Sequence, residues 1–276
     1  MGIVINTNPT AMQTLRSLNK TNRHLQGSMV KLSSGQRINS AKDDAAGLGI
    51  SEILRAQVSS LGVASRNSAD AISALQIAES SMNEIHNILN RMRELSMQSA
   101  SGQLSNQQRG FLDDEMSQLR DEISRISATT EFNGKKLTDG SFATTTLTFQ
   151  VGTNNTGNDR IGVNITTMSQ TGLSLATMSL STQTRAQSAL DTIDAAINAV
   201  SSQRASLGAL MNRLEITIDN LASAEENVSA ANSRIRDVDV GREMGKMVSK
   251  QILSQAGTSM LTQANSLPQT ALALIG

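Results

Sequence analysis

The stretch from Ile193 to Ile235 constrains this chain more than any other. Stepped alternately by four and three, it reads Ile193, Ile197, Val200, Arg204, Leu207, Met211, Leu214, Ile218, Leu221, Glu225, Val228, Asn232 and Ile235, and ten of these thirteen positions are apolar. No proline interrupts the run, and its one glycine, Gly208, lies off the seam. An apolar repeat of 3.5 residues held over about six heptads is the pattern of a supercoiling helix. At a rise of 1.5 Å per residue such a helix is about 60 Å long. It buries its stripe only if other segments of the chain lie against it. The three polar interruptions, Arg204, Glu225 and Asn232, are expected to fix register, as isolated polar seam residues do.

The rest of the chain supplies partners of the same kind. Thr10 to Leu32 carries a seam of Ala11, Leu15, Leu18, Asn22, Leu25, Met29 and Leu32, and Ser33-Ser34-Gly35 stops it. Ser40 to Asp43 reads as a capping box that restarts a helix. The next seam runs from Ile50 through Leu54, Leu61, Ala71, Leu75, Met82, Ile85 and Leu89 to Met92, and a third helix is expected from about Asn106 to Ala128. Residues from about 129 to 180 differ in kind. Asn133-Gly134 and Asp139-Gly140 are turn dipeptides. Leu147, Phe149 and Val151, then Ile161, Val163 and Ile165, alternate with polar residues as short half-buried strands do. After an expected break near Gly241 and Gly245, a last amphipathic segment carries Leu253, Gly257, Met260, Ala264, Leu267, Ala271 and Leu274, with Pro268 expected to kink or divide it. The expected fold class is mainly α: a long antiparallel coiled-coil bundle, a small β-hairpin and turn region at mid-chain, and terminal helices that form an inner coiled coil.

Composition narrows the function. The chain has 276 residues, four Phe, no Trp, no Tyr and two Pro, which suits long helices with narrow seams. Its 24 basic and 24 acidic residues leave no polybasic block, so neither nucleic acid nor a membrane surface is an expected partner. With no Cys, disulfides and thiolate chemistry are excluded. No apolar run approaches a membrane span, and Met1 to Asn8 lacks the basic start of a cleaved secretion signal. The only histidines, His24 and His86, lack metal-ligand spacing and read as helix surface. Asp43 and Asp44 read as charges at a helix start rather than paired catalytic acids. No catalytic constellation, cofactor or metal is expected.

Longer motifs carry a resemblance. Leu32-Ser-Ser-Gly-Gln-Arg-Ile-Asn39, Asp43-Asp-Ala-Ala-Gly47, Leu89-Asn-Arg-Met-Arg-Glu-Leu-Ser-Met-Gln98 and Thr130-Glu-Phe-Asn-Gly-Lys-Lys-Leu137 come in order in the first half. Ser201-Ser-Gln-Arg-Ala-Ser-Leu-Gly208, Asn212-Arg-Leu-Glu215, Ser233-Arg-Ile-Arg-Asp-Val-Asp239 and Ile252-Leu-Ser-Gln255 follow in the second. From end to end the chain resembles bacterial flagellin. The resemblance implies a structural subunit that polymerises into the flagellar filament for swimming, exported unfolded through the flagellar type III apparatus without a cleaved signal, and located outside the cell. It implies that residues 1–42 and 240–276 form an inner tube and residues 43–239 a rod-like shell, with the β region at about 129–180 and no large outer domain.

The same resemblance implies partners: many copies of the chain, an export chaperone over the C-terminal stripe, and the filament cap and hook–filament junction proteins. An animal innate immune receptor is a further implied partner, reading Leu89, Arg91, Leu95, Gln98 and Glu115. The expected self-assembly seams are Leu15, Leu18, Leu25, Met29 and Leu32 at one end, and Leu253, Met260, Leu267 and Leu274 at the other. Both termini are expected to be disordered in the monomer and to fold only when neighbouring copies cover them. A hook–filament junction protein, or a cytoplasmic coiled-coil signalling or scaffold module, are the alternatives.

Overall fold

The computed structural model describes the backbone of residues 7–275 and the side chains of residues 7–266. Among the described residues, six α-helices and four short strands follow one another. They are α1 (Pro9–Ser34), α2 (Ala45–Ala100), α3 (Asn106–Thr129), β1 (Glu131–Phe132), β2 (Lys135–Lys136), the single turn α4 (Ser141–Thr144), β3 (Leu147–Gln150), β4 (Arg160–Val163), α5 (Gln183–Arg236) and α6 (Val240–Ile275). By contacts the chain divides into two units, residues 57–226 and residues 1–56 with 227–276. These boundaries lie about four turns inside the 42/43 and 239/240 divisions expected from the resemblance, because the first turns of α2 and the last turns of α5 pack with the terminal segments.

In the unit of residues 57–226, α5 lies antiparallel to α2. Arg93 on α2 reaches Asp194 near the start of α5 at 2.7 Å, while Glu79, earlier on α2, reaches Arg204, later on α5, at 2.6 Å. All thirteen α5 seam positions are buried or half-buried. Ile193, Val200, Leu207 and Leu214 are sealed into the core, and Ala71, Leu75, Ala78, Met82, Ile85, Leu89 and Met92 of α2 meet them there. Arg204, the first polar interruption of the seam, donates from Nε and Nη2 to Glu79 Oε1, so it satisfies its charge across the seam. Ala64, Ser68, Ala71, Ala74 and Ala78 are all buried, which lets neighbouring backbone approach the middle of α2 closely.

α3 folds back beside α2 after a tight connection. Ser105 caps it, with Gln108 closing a reciprocal capping box. Met116 and Ile123 enter the core, and Leu112, Leu119 and Ile126 pack against it. β1 and β2 form a hairpin whose turn residues, Asn133 (φ 49) and Gly134 (φ 75), both take the left-handed conformation that a two-residue hairpin requires. β3 and β4 pair antiparallel, Leu147 opposite Val163 and Phe149 opposite Ile161, as the alternation predicts.

Residues 164–182 depart from the strand expectation. They form an irregular strap that buries Ile165, Met168, Leu173, Leu175, Met178 and Leu180. In place of a ladder, the strap's backbone bonds within its own turns, to Thr138 O and Phe142 O, and to side chains of the neighbouring helices. Asp113 accepts from Leu180 N at 2.6 Å and Ser179 Oγ at 3.0 Å, Arg120 donates to Ala176 O at 2.8 Å, and Ser99 donates to Leu180 O at 2.8 Å.

Two further expectations change. The capping role at the start of α2 belongs to Asp44, whose Oδ1 accepts from Gly47 N at 2.8 Å. Asp43 instead closes a turn on Asn39 and Ser40. The break before the last helix falls at Asp237–Asp239, and α6 runs unbroken through Gly241, Gly245 and position 268. Helical backbone tolerates both glycines at modest cost.

Candidate assembly surface

Residues 1–56 and 227–276 hold the expected seams. α1 and α6 lie antiparallel, tied at one end by Asn8 Nδ2 donating to Ala264 O at 2.8 Å and further along by Ser254 Oγ donating to Asn22 Oδ1 at 2.8 Å. The facing residues of α6 are Glu243, Met247, Lys250, Ser254, Gly257, Leu261 and Ala264, again stepped by four and three, and none of them is exposed. Their counterparts on α1 are Ala11, Thr14, Leu18, Thr21, Leu25, Ser28 and Leu32. The interface is narrow and rich in small and hydroxyl residues. A Cβ at Gly257 would lie 3.1 Å from Leu18 Cδ1, so the missing side chain is what admits Leu18.

One charged group is buried in it. Glu243 accepts from Ser28 Oγ at 2.6 Å and from Lys246 Nζ at 3.0 Å. The Ser28 hydrogen bond, with Lys246 and Lys31, holds the carboxyl below its ordinary value against the opposing effect of burial. The loop after α1 is pinned to the end of α5. Gly35 (φ 69) makes the left-handed turn, Val238 N donates to Gly35 O at 3.0 Å, and the Arg37 guanidinium donates to Ile235 O at 2.7 Å. Ile38 is buried beneath this tie. Arg236 pairs with Glu52 and with Gln36 Oε1.

The nine expected seam residues separate into three groups. Leu18, Leu25 and Leu32 are half-buried on the inner face. Leu15, Met29, Leu253 and Met260 are 46–62% exposed and point outward. Leu267 and Leu274 lie outside the described side chains. Apolar stepping alone placed Leu15 with Leu18, and Leu253 with Gly257, on one stripe. The inner stripe keeps Gly257 and is completed by Thr14, Ser28 and Ser254, which an apolar count does not register. Glu243 and Ser28 were missed for the same reason; the four-and-three spacing of small residues from Ser254 to Ala264 was the signal available.

The outward faces are strongly apolar. Met12, Leu15, Met29 and Val30 on α1, and Val240, Met244, Val248, Ile252, Leu253 and Met260 on α6, are all exposed. Ile50 and Ile53 at the start of α2 add to the set. Exposed apolar surface on this scale marks a surface that something else covers.

The residues of the second expected surface, on α2 and α3, are only partly exposed. Arg91 donates from Nε to Glu115 Oε1 at 2.9 Å and from Nη1 to Glu94 Oε2 at 3.1 Å, and these contacts raise its pKa further. Arg91 and Gln98 are exposed, and the Glu115 side chain is accessible beside Arg91. Leu89 and Leu95 are 0% and 1% exposed and belong to the core, so their side chains present no surface to a receptor. His24 is exposed and His86 half-buried, and no metal-ligating cluster occurs among the described residues. No helix among them is long and apolar enough to cross a membrane.

Comparison with known proteins agrees with these features. The family model for the bacterial flagellin N-terminal helical region matches residues 5–143, and that for the C-terminal helical region matches residues 190–275. The chain is 47% identical to a flagellin of Halalkalibacterium halodurans, over 99% of this chain and all of that one. It is 45% identical to a flagellin of Bacillus subtilis, over 98% of this chain and 99% of that one. The crystal structure of Bacillus cereus flagellin aligns at a TM-score of 0.50 and 30% identity, covering 60% of this chain and 94% of that one. A putative flagellar hook-associated protein from Vibrio parahaemolyticus aligns at a TM-score of 0.59 over 71% of this chain and all of that one, but at 17% identity the likeness is one of fold.

Proposed function

The chain belongs to the bacterial flagellin family, and from that premise we propose how its terminal helices build the filament. The protein is a structural subunit of the flagellar filament and not an enzyme. The observation that carries the proposal is the pair of exposed apolar faces on α1 and α6. The two helices meet through a narrow stripe of small, polar and half-buried leucine side chains and turn Leu15, Met29, Leu253 and Met260 outward. In the filament those residues insert between neighbouring copies, and residues 1–42 and 240–276 form the inner tube. Residues 43–239 form the surrounding shell. A contact of one copy's face with a different face of the next does not close on itself, and it propagates as an open helix.

In the single subunit the α1–α6 pair is weakly held, because few large side chains are sealed within it. That weakness suits export in an unfolded state without a cleaved signal. The exposed C-terminal stripe is where an export chaperone binds before secretion, since it would otherwise pair prematurely. Cap and hook–filament junction proteins engage the same terminal helices at the two ends of the filament. The accessible polar cluster of Arg91, Gln98 and Glu115 is the part of the α2–α3 surface that an animal innate receptor reads in the free subunit.

Seeded polymerisation of the purified chain, followed by electron microscopy, tests the reading. The full chain extends filament seeds. A chain with Leu15, Met29, Leu253 and Met260 all replaced by Ser stays monomeric while its residues 57–226 keep their helical signal. Polymerisation of that variant at wild-type concentration would overturn the proposal.

A further inference from the structure

We propose that Met12, Met29, Met244 and Met260 form an oxidation switch: two-electron oxidants convert these thioethers to sulfoxides and thereby remove the subunit from assembly. The inference rests on the assembly reading above and adds a chemical control to it.

The starting point is what the chain lacks. It has no Cys, Trp or Tyr, but thirteen Met. Thioether sulfur is therefore its principal target for a hydroperoxide or hypohalous acid. The methionines are sorted by position. Met82, Met92, Met116, Met168 and Met178 are sealed in the core of residues 57–226. Met12, Met29, Met244 and Met260, on α1 and α6, are 43–62% exposed. Met211 and Met247 are half-buried, and Met1 lies outside the described residues. Met97 on α2 is the exposed methionine away from the terminal helices, and it serves as an internal control.

In the reaction the sulfur lone pair attacks one oxygen of hydrogen peroxide. The O–O bond breaks, the sulfur is oxidised by two electrons, the peroxide is reduced, and water leaves. The product is a polar, chiral sulfoxide in place of a flexible apolar side chain. On a free helix face it is solvated and harmless. Buried between copies, its oxygen loses its hydration, and the exposed Leu15, Val30, Val248, Ile252 and Leu253 side chains on these faces offer no donor in return. A subunit oxidised before incorporation is thus excluded, whereas one already packed into the filament has its thioethers covered. A thiol-dependent sulfoxide reductase reverses the change before assembly.

The test uses the full chain and hydrogen peroxide, with peptide mass mapping and seeded polymerisation. Met12, Met29, Met244, Met260 and Met97 each gain one oxygen while the buried five remain unmodified. The helical signal persists, and the critical concentration rises about tenfold or more. Met97→Leu leaves this sensitivity unchanged. The variant Met12→Leu, Met29→Leu, Met244→Leu, Met260→Leu is referred to its own untreated critical concentration, and the same treatment leaves that value unshifted. Treatment of oxidised wild-type chain with the reductase and dithiothreitol restores polymerisation, which gives a second readout if the fourfold variant assembles poorly. Unchanged polymerisation of the oxidised chain, or failure of reductive repair to restore it, would overturn the switch. Failure of the untreated chain to polymerise would instead overturn the assembly reading on which the switch rests.

Discussion

One truncation made at two places separates folding from assembly. Leu89 is fully buried between the seams of residues 57–226, whereas Leu253 on α6 is 49% exposed. Leu89→Ala removes the same atoms as Leu253→Ala but leaves a cavity in a close-packed core. Its cost to the monomer is about 3–5 kcal/mol. Leu253→Ala changes monomer stability by at most about 0.5 kcal/mol, as is usual at exposed sites. If neighbouring copies cover Leu253, the half of its side chain still in water contributes about 1 kcal/mol per contact. The critical concentration for polymerisation then rises about fivefold. Urea unfolding followed by circular dichroism reads the first quantity, and sedimentation of polymer at a series of protein concentrations reads the second. The reasoning fails if Leu253→Ala destabilises the monomer as Leu89→Ala does, or if it leaves the critical concentration where it was.

Three further outcomes follow from individual contacts. Glu243 titrates below its ordinary 4.5 because Ser28 and Lys246 stabilise the carboxylate. Its contribution is therefore present above that value and is lost as pH falls through the lower folded one; thermal melts at stepped acid pH show a flatter profile for Glu243→Gln than for wild type. The half-buried Arg204–Glu79 pair couples α5 to α2, and a double-mutant cycle with Arg204→Ala and Glu79→Ala in urea unfolding gives a coupling of about 1 kcal/mol. Arg91→Ala with Glu115→Ala removes the exposed ion pair and lowers activation of the innate receptor by monomer in a reporter-cell assay, while the melting temperature stays within about two degrees of wild type.

The helices were legible because their apolar residues repeat at the helical period with few polar interruptions. The seam from Ile193 to Ile235 has no exposed member, and the expected third helix begins at Asn106 as observed. The hairpin at Asn133-Gly134 was legible because both turn residues need a left-handed backbone. The strap of residues 164–182 was not, because its backbone bonds run to its own turns, to Thr138 and Phe142, and to Asp113, Arg120 and Ser99 on distant helices, and no local period encodes such partners. The α1–α6 contact was half legible. Its large apolar residues and Gly257 were visible in the sequence, but Ser28 and Glu243 help decide which of them face inward, and polar side chains leave no apolar signal. On the α2–α3 surface, family resemblance pointed to five residues without distinguishing Arg91, Gln98 and Glu115 from the core leucines beside them.

The most direct measurement is an electron cryo-microscopy structure of filaments grown from this chain. Leu15, Met29, Leu253 and Met260 are then buried against adjacent copies, with α1 and α6 lining the inner tube and their mutual contact through Ser28 and Glu243 kept. A filament in which those four side chains stay in water, with copies joined only through residues 57–226, would contradict the account.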